Sequence, residues 1–110
     1  MESLRFLSAD EVRSLAAEFG TPFYVYNEAT LRQRAAELLA FPNAFGLTAR
    51  YAMKALPTAA VIQTFADAGL NIDASSGYEA ERAMRAGVAP DRIQITAQEL
   101  PRNLKSLIER

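Results

Sequence analysis

Two stretches of this chain have the same design: Ala66-Asp67-Ala68-Gly69-Leu70 and Met84-Arg85-Ala86-Gly87-Val88. Each is an alanine-rich helix end, then a glycine suited to the C′ position, then an apolar residue leading onward. Strands are readable around them, at Leu47 to Ala55, Leu70 to Ala74 and Ile93-Gln94-Ile95-Thr96. Helices fill the intervals: one opens at Pro57 and closes at Gly69, and one runs from about Gly77 to Ala86. A third starts at Glu99-Leu100-Pro101 and is still running at Arg110. A repeated βα unit predicts an α/β fold with a parallel sheet and right-handed crossovers. Three units do not close a (β/α)8 barrel, which takes eight in about 250 residues. Residues 43–110 read either as the first three βα units of a truncated barrel or as a small complete α/β domain that covers its sheet with the two N-terminal helices, and truncation is the preferred reading.

Residues 1–42 read as a helix–strand–helix segment ahead of it. Ser8-Ala9-Asp10-Glu11 fits a capping box. Val12, Leu15, Ala16 and Phe19 fall on one helical face, and Gly20 and Thr21-Pro22 end the pattern. Phe23-Tyr24-Val25-Tyr26 is aromatic and β-branched and predicts a strand, with one tyrosine packed and the other facing out. Asn27 caps a second helix through about Ala40, with Leu31, Ala35, Leu38 and Leu39 inward. On the sheet, Phe45, Ala52, Ile72, Ile93 and Ile95 are expected to line the barrel side, where an open sheet leaves them bare.

The composition removes several function classes. Twelve basic and 13 acidic side chains in 110 residues leave a net charge of −1 with no basic cluster, so nothing marks a nucleic-acid or anionic-membrane partner. Histidine and cysteine are both absent, which excludes disulfides, thiolate zinc sites and the commonest general base. Met1-Glu2-Ser3-Leu4-Arg5 has no secretory pattern, and no apolar run approaches the roughly 18 residues of a membrane span, so a cytoplasmic location is expected.

In a parallel α/β fold the ligand site lies at the carboxyl ends of the strands. Lys54, Asp73 and Thr96 to Gln98 fall there on three successive strands. A neutral lysine amine is a nucleophile towards aldehydes, and the apolar or aromatic Tyr51, Ala52, Met53 and Ala55 would wall it from water. Asp73 would orient the resulting positive charge. The other use of the same pair is a surface ion pair with Lys54 snorkelling from a strand end. Ser75-Ser76-Gly77 suits an N-cap or an anion cradle, and Gln98-Glu99 a helix cap or a substrate contact.

Tyr51-Ala52-Met53-Lys54-Ala55 resembles the Y-A-x-K-A signature of the fold-type III pyridoxal-phosphate-dependent decarboxylases, the diaminopimelate and ornithine decarboxylase group. Asp73-Ala74-Ser75-Ser76-Gly77-Tyr78-Glu79 is similar to that group's next block, and Thr21 to Tyr26 to its opening strand. The resemblance implies an alanine racemase-like barrel in which Lys54 carries pyridoxal 5′-phosphate as an internal imine. It places Asp73 and Glu79 in the cofactor pocket, and it implies an amino-acid substrate and a homodimeric full-length protein. Ala74-Ser75-Ser76-Gly77 sits nearer the diaminopimelate branch, which points to lysine biosynthesis. Where the group has asparagine two places after the lysine, this chain has Leu56 followed by Pro57. The ring-stacking histidine, the glycine-rich phosphate loop and the acidic partner of the pyridine nitrogen belong to later strands. A chain of this extent is expected to be inactive alone; the alternative is a shortened, non-catalytic cofactor-binding or regulatory relative.

Overall fold

Ser8 opens the first helix with the complete capping box. Its Oγ accepts the Glu11 amide at 3.2 Å, and Glu11 Oε2 accepts the Ser8 amide at 2.7 Å, so α1 runs Ala9–Phe19. Asn27 caps α2 (Glu28–Leu39), its Oδ1 accepting the Thr30 amide at 2.9 Å. The computed structural model describes residues 6–110; Met1 to Arg5, which carry the secretory-signal reading, lie outside the described residues. Between α1 and α2 the expected strand does not form. Phe23 to Tyr26 has no partner in the sheet, and without a ladder there is nowhere for its backbone to pair. Tyr24 and Tyr26 are both exposed, while Phe23 and Val25 are half-buried. Side chains two apart share a side, so the expected split between the tyrosines fails.

β1 (Arg50–Ala52), β2 (Asn71–Ala74) and β3 (Ile93–Ile95) form one parallel sheet in the order β1-β2-β3. α3 (Ala59–Asp67) connects β1 to β2, α4 (Gly77–Arg85) connects β2 to β3, and α5 (Leu104–Ile108) follows β3. The twin glycine stops are built alike. At Gly69 (φ 102°), the Leu70 amide donates to Phe65 O at 3.0 Å and the Gly69 amide to Ala66 O at 3.1 Å. At Gly87 (φ 90°), the Val88 amide donates to Ala83 O at 3.1 Å and the Gly87 amide to Met84 O at 2.9 Å. Both are Schellman caps, and both need the left-handed glycine. Arg92 then ties the units together: its Nη2 donates to Ala66 O at 2.8 Å and Leu70 O at 2.7 Å, at the end of α3.

Register decides which face of the sheet is which. Tyr51, Ile72 and Ile93 stand in one row across the strands, and Ala52, Asp73 and Gln94 in the next. The first row packs with Met53, Ala74 and Ile95 against Ile62 and Ala66 of α3 and Ala80 and Ala83 of α4. A second cluster joins α2 to α3, through Ala35, Leu31 and Leu39 against Val61, Phe65 and Leu70. Leu38 lies off that i, i+4, i+8 stripe and is exposed. The face away from the helices is polar, carrying Arg50, Asn71, Asp73 and Gln94 beside Ala52.

That arrangement corrects the expected barrel-side list. Ile72, Ile93 and Ile95 are on the helix side, Ala52 is on the other, and Phe45 is fully exposed in the loop before β1. Period two makes Ala52 and Ile72 opposites once their register is known. Element boundaries also move, and the first strand starts at Arg50 rather than Leu47. The first strand ends at Ala52, and Met53–Ala55 is a 3-10 turn. The last helix starts at Leu104, after a turn closed by its amide on Pro101 O at 3.0 Å, and ends at Ile108.

Candidate functional site

The residues that follow the three strands converge on one cavity of about 800 Å³. Lys54 comes from the end of β1, Ser75 and Ser76 from the end of β2, and Thr96, Ala97 and Gln98 from the end of β3. The start of α4 (Gly77, Tyr78) and the 99–103 loop complete its wall with Glu81. This is the end of the sheet at which α/β folds place their ligands.

Lys54 stands on the 3-10 turn rather than on the strand. Met53 is wholly buried under the sheet, and with three residues per turn the next side chain swings outward, so Lys54 is exposed at the cavity. The expected apolar wall is therefore one-sided: Met53 is buried and Tyr51 half-buried beneath it, but Ala55 is exposed. Among the described residues Lys54 makes no ion pair, with Asp73 or any other carboxylate. The chain's second lysine, Lys105, lies on α5, 3.8 Å from Glu109 and away from the cavity. The amine available to a ligand in this cavity is that of Lys54.

Asp73 is half-buried on the polar face of β2 and accepts a hydrogen bond from Thr96 Oγ1 at 2.5 Å. Thr96 also accepts from Gln94 Nε2 at 3.3 Å. Thr96, not Asp73, forms the cavity wall, so the carboxylate sits one hydroxyl behind it. Glu79 is bound inside the turn above β2. Its Oε2 accepts the Ser75 amide at 2.6 Å and Ser75 Oγ at 2.9 Å, while Ser76 Oγ caps α4 by accepting the Glu79 amide at 3.2 Å. The Glu79 side chain faces a neighbouring groove with Pro57, Arg82 and Arg85. It shapes the Ser75-Ser76 turn that lines the lysine's cavity. Gly77 packs where a Cβ would come within 3.1 Å of Pro101, which is why the 99–103 loop can close over the start of α4.

Sequence reasoning left Gln98 and Glu99 between a helix cap and a ligand contact. Both line the cavity, and α5 begins five residues beyond Glu99 with no side-chain cap from either. Pro101, expected to open the helix, stands instead in the turn before it. Glu81 pairs with Arg85 at 3.9 Å and also reaches the cavity. Among the described residues no group of three or more acidic, histidine or cysteine side chains could hold a metal, and no helix is long and apolar enough to cross a membrane.

The fold is an α/β domain with a small parallel sheet, and a lysine unpaired among the described residues stands at the mouth of its strands. The family described as "Pyridoxal-dependent decarboxylase, pyridoxal binding domain" matches residues 30–106, and this chain belongs to it. The cofactor of that domain is pyridoxal phosphate. The chain is 38% identical to diaminopimelate decarboxylase of Zymomonas mobilis subsp. mobilis over 82 residues, covering 72% of this chain and 20% of that protein. It is 43% identical to diaminopimelate decarboxylase of Bacillus subtilis over 84 residues, 72% of this chain and 18% of the relative. Against diaminopimelate decarboxylase of Escherichia coli K12 the identity is 34% over 95 residues, 83% of this chain and 21% of the relative. The chain thus spans about a fifth of the length of these curated relatives.

Proposed function

We propose that this chain is the N-terminal, lysine-bearing portion of a pyridoxal-phosphate-dependent amino-acid decarboxylase of the diaminopimelate type, a cytoplasmic homodimer acting in lysine biosynthesis. The observation that carries the reading is the position of Lys54: of two lysines, it alone lines the cavity where three strand ends meet, with no carboxylate paired to it among the described residues. The donor set fits the cofactor, since an aldehyde needs an accessible amine and the cavity wall offers one.

In this reading Lys54 holds the cofactor through its amine. Asp73, held by Thr96 behind the cavity wall, would supply the negative charge that balances the bound nitrogen. Glu79 keeps the Ser75-Ser76 turn in place, so that the wall beside Lys54 is rigid before any ligand arrives. The bound cofactor supplies an electron sink for the pair left behind when carbon dioxide departs. Residues 43–110 are then the first three units of a (β/α)8 barrel of the alanine racemase-like type, with residues 1–42 leading into it. Two features support that architecture. The polar row Arg50, Asn71, Asp73 and Gln94 faces away from the helices, as an inner barrel wall would. Beside β3, an apolar cleft of about 660 Å³ lined by Met84, Ile93, Ile95, Leu104 and Leu107 offers the seat for a fourth unit. The phosphate and the pyridine nitrogen are held by segments beyond these residues.

The full-length protein, loaded with pyridoxal phosphate, is expected to release carbon dioxide from diaminopimelate and to leave ornithine and arginine unchanged. Turnover of ornithine in preference to diaminopimelate would contradict the assignment to this branch while leaving the role of Lys54 intact.

A further inference from the structure

The cavity side of Lys54 is open, so what fixes its direction must lie in the backbone beneath it. The turn Met53–Ala55 is closed at Leu56 from two directions. The Leu56 amide donates to Met53 O at 3.2 Å, and the Leu56 carbonyl accepts the Tyr51 hydroxyl at 3.1 Å. Leu56 precedes Pro57 and takes the extended conformation that proline imposes on its neighbour (φ −160°, ψ 96°), which presents that carbonyl back towards the strand. Pro57 has no amide to donate, and Arg82 Nη1 takes its carbonyl at 3.3 Å. The Tyr51 ring is itself held: its centroid lies 4.4 Å from that of Phe65, and it packs against both hydrophobic clusters. Tyr51 is thus a rigid strut rooted in the core, with its hydroxyl on the far side of the lysine turn. Burial pushes the Tyr51 phenol above its ordinary pKa, which keeps the donor form in place through the neutral range.

We infer that Tyr51 is a positioning residue for Lys54, its hydroxyl bond to the Leu56 carbonyl holding the 3-10 turn so that the amine points into the cavity. This rests on the reading of Lys54 as the cofactor-bearing residue. Tyr51 touches no ligand; it acts through the turn. The rest of the tyrosine serves packing, so the two roles separate when the hydroxyl alone is removed.

The test uses the full-length, cofactor-free protein. In Tyr51→Phe the ring and its contact with Phe65 stay, and only the bond to Leu56 is lost. A net hydrogen bond is worth about 1 kcal/mol, so the rate of pyridoxal phosphate capture by Lys54, followed by absorbance and located by peptide mapping, is expected to fall roughly fivefold. Amide exchange at Leu56 should quicken in the same variant. Ser8→Ala is the control, since it removes a helix cap on α1, whose residues belong to neither cluster beneath the turn. It should leave both the capture rate and Leu56 exchange unchanged. A capture rate in Tyr51→Phe equal to wild type, or an equal slowing in Ser8→Ala, overturns the positioning role. So does failure of Tyr51→Phe to fold, because the hydroxyl would then be holding up more than a turn. Absence of capture at Lys54 in the wild type overturns the cofactor reading, and this inference with it.

Discussion

Lys54→Arg is expected to abolish covalent capture of pyridoxal phosphate altogether. A guanidinium stays protonated and has no free pair to offer an aldehyde, so retaining the charge does not rescue the chemistry. The protein around it should be unaffected. Lys54 is exposed, makes no ion pair among the described residues, and sits on a turn whose packing comes from Met53 and Tyr51. An exposed substitution of this kind shifts stability by no more than about 0.5 kcal/mol, so unfolding of the variant should overlay that of wild type. Capture that survives in Lys54→Arg would move the chemistry to another amine.

The second large effect belongs to the fold. Ile72 is the central residue of the central strand, in register between Tyr51 and Ile93 and closed over by α3 and α4. Ile72→Ala should cost about 2–5 kcal/mol, a large share of the ~5–15 kcal/mol that stabilises a typical domain. Ile72→Val should cost about 0.5–1.5 kcal/mol, since only one methylene leaves the packed row. Denaturant unfolding of the full-length protein reads both. A cost well under ~1 kcal/mol for the alanine variant would contradict the place of Ile72 in the packed row.

The misplacement of Ile72 shows where local pattern stops. The glycine stops at Gly69 and Gly87 and the caps at Ser8, Asn27 and Ser76 were legible because each is completed by bonds within a few residues. The face of a parallel strand is not, because its partner lies across a whole helix in sequence, and only the pairing of Ala52 with Asp73 puts Ile72 on the other side. Phe23 to Tyr26 failed for a related reason: strand propensity describes a surface that fits a sheet, and these residues have no sheet to join among the described ones.

The site was legible in outline and not in wiring. Its location at the strand ends followed from topology, and Lys54 and Gln98 arrived there. Asp73 was placed beside the lysine from its position on the next strand, but its bond to Thr96 depends on the register of β2 with β3. Glu79 was matched by resemblance to a pocket residue; in the structure it does not line the cavity of Lys54 and is bonded to Ser75, which does. The 3-10 turn that lifts Lys54 off the strand ends at Leu56, which Pro57 holds extended.

The central claim is that Lys54 is the residue that carries the cofactor. Borohydride reduction of the full-length protein after loading with pyridoxal phosphate, followed by digestion and mass mapping, reads it directly. The account predicts a single stable adduct on the peptide that contains Lys54. An adduct on Lys105, or label spread over surface amines with none enriched at Lys54, would contradict it.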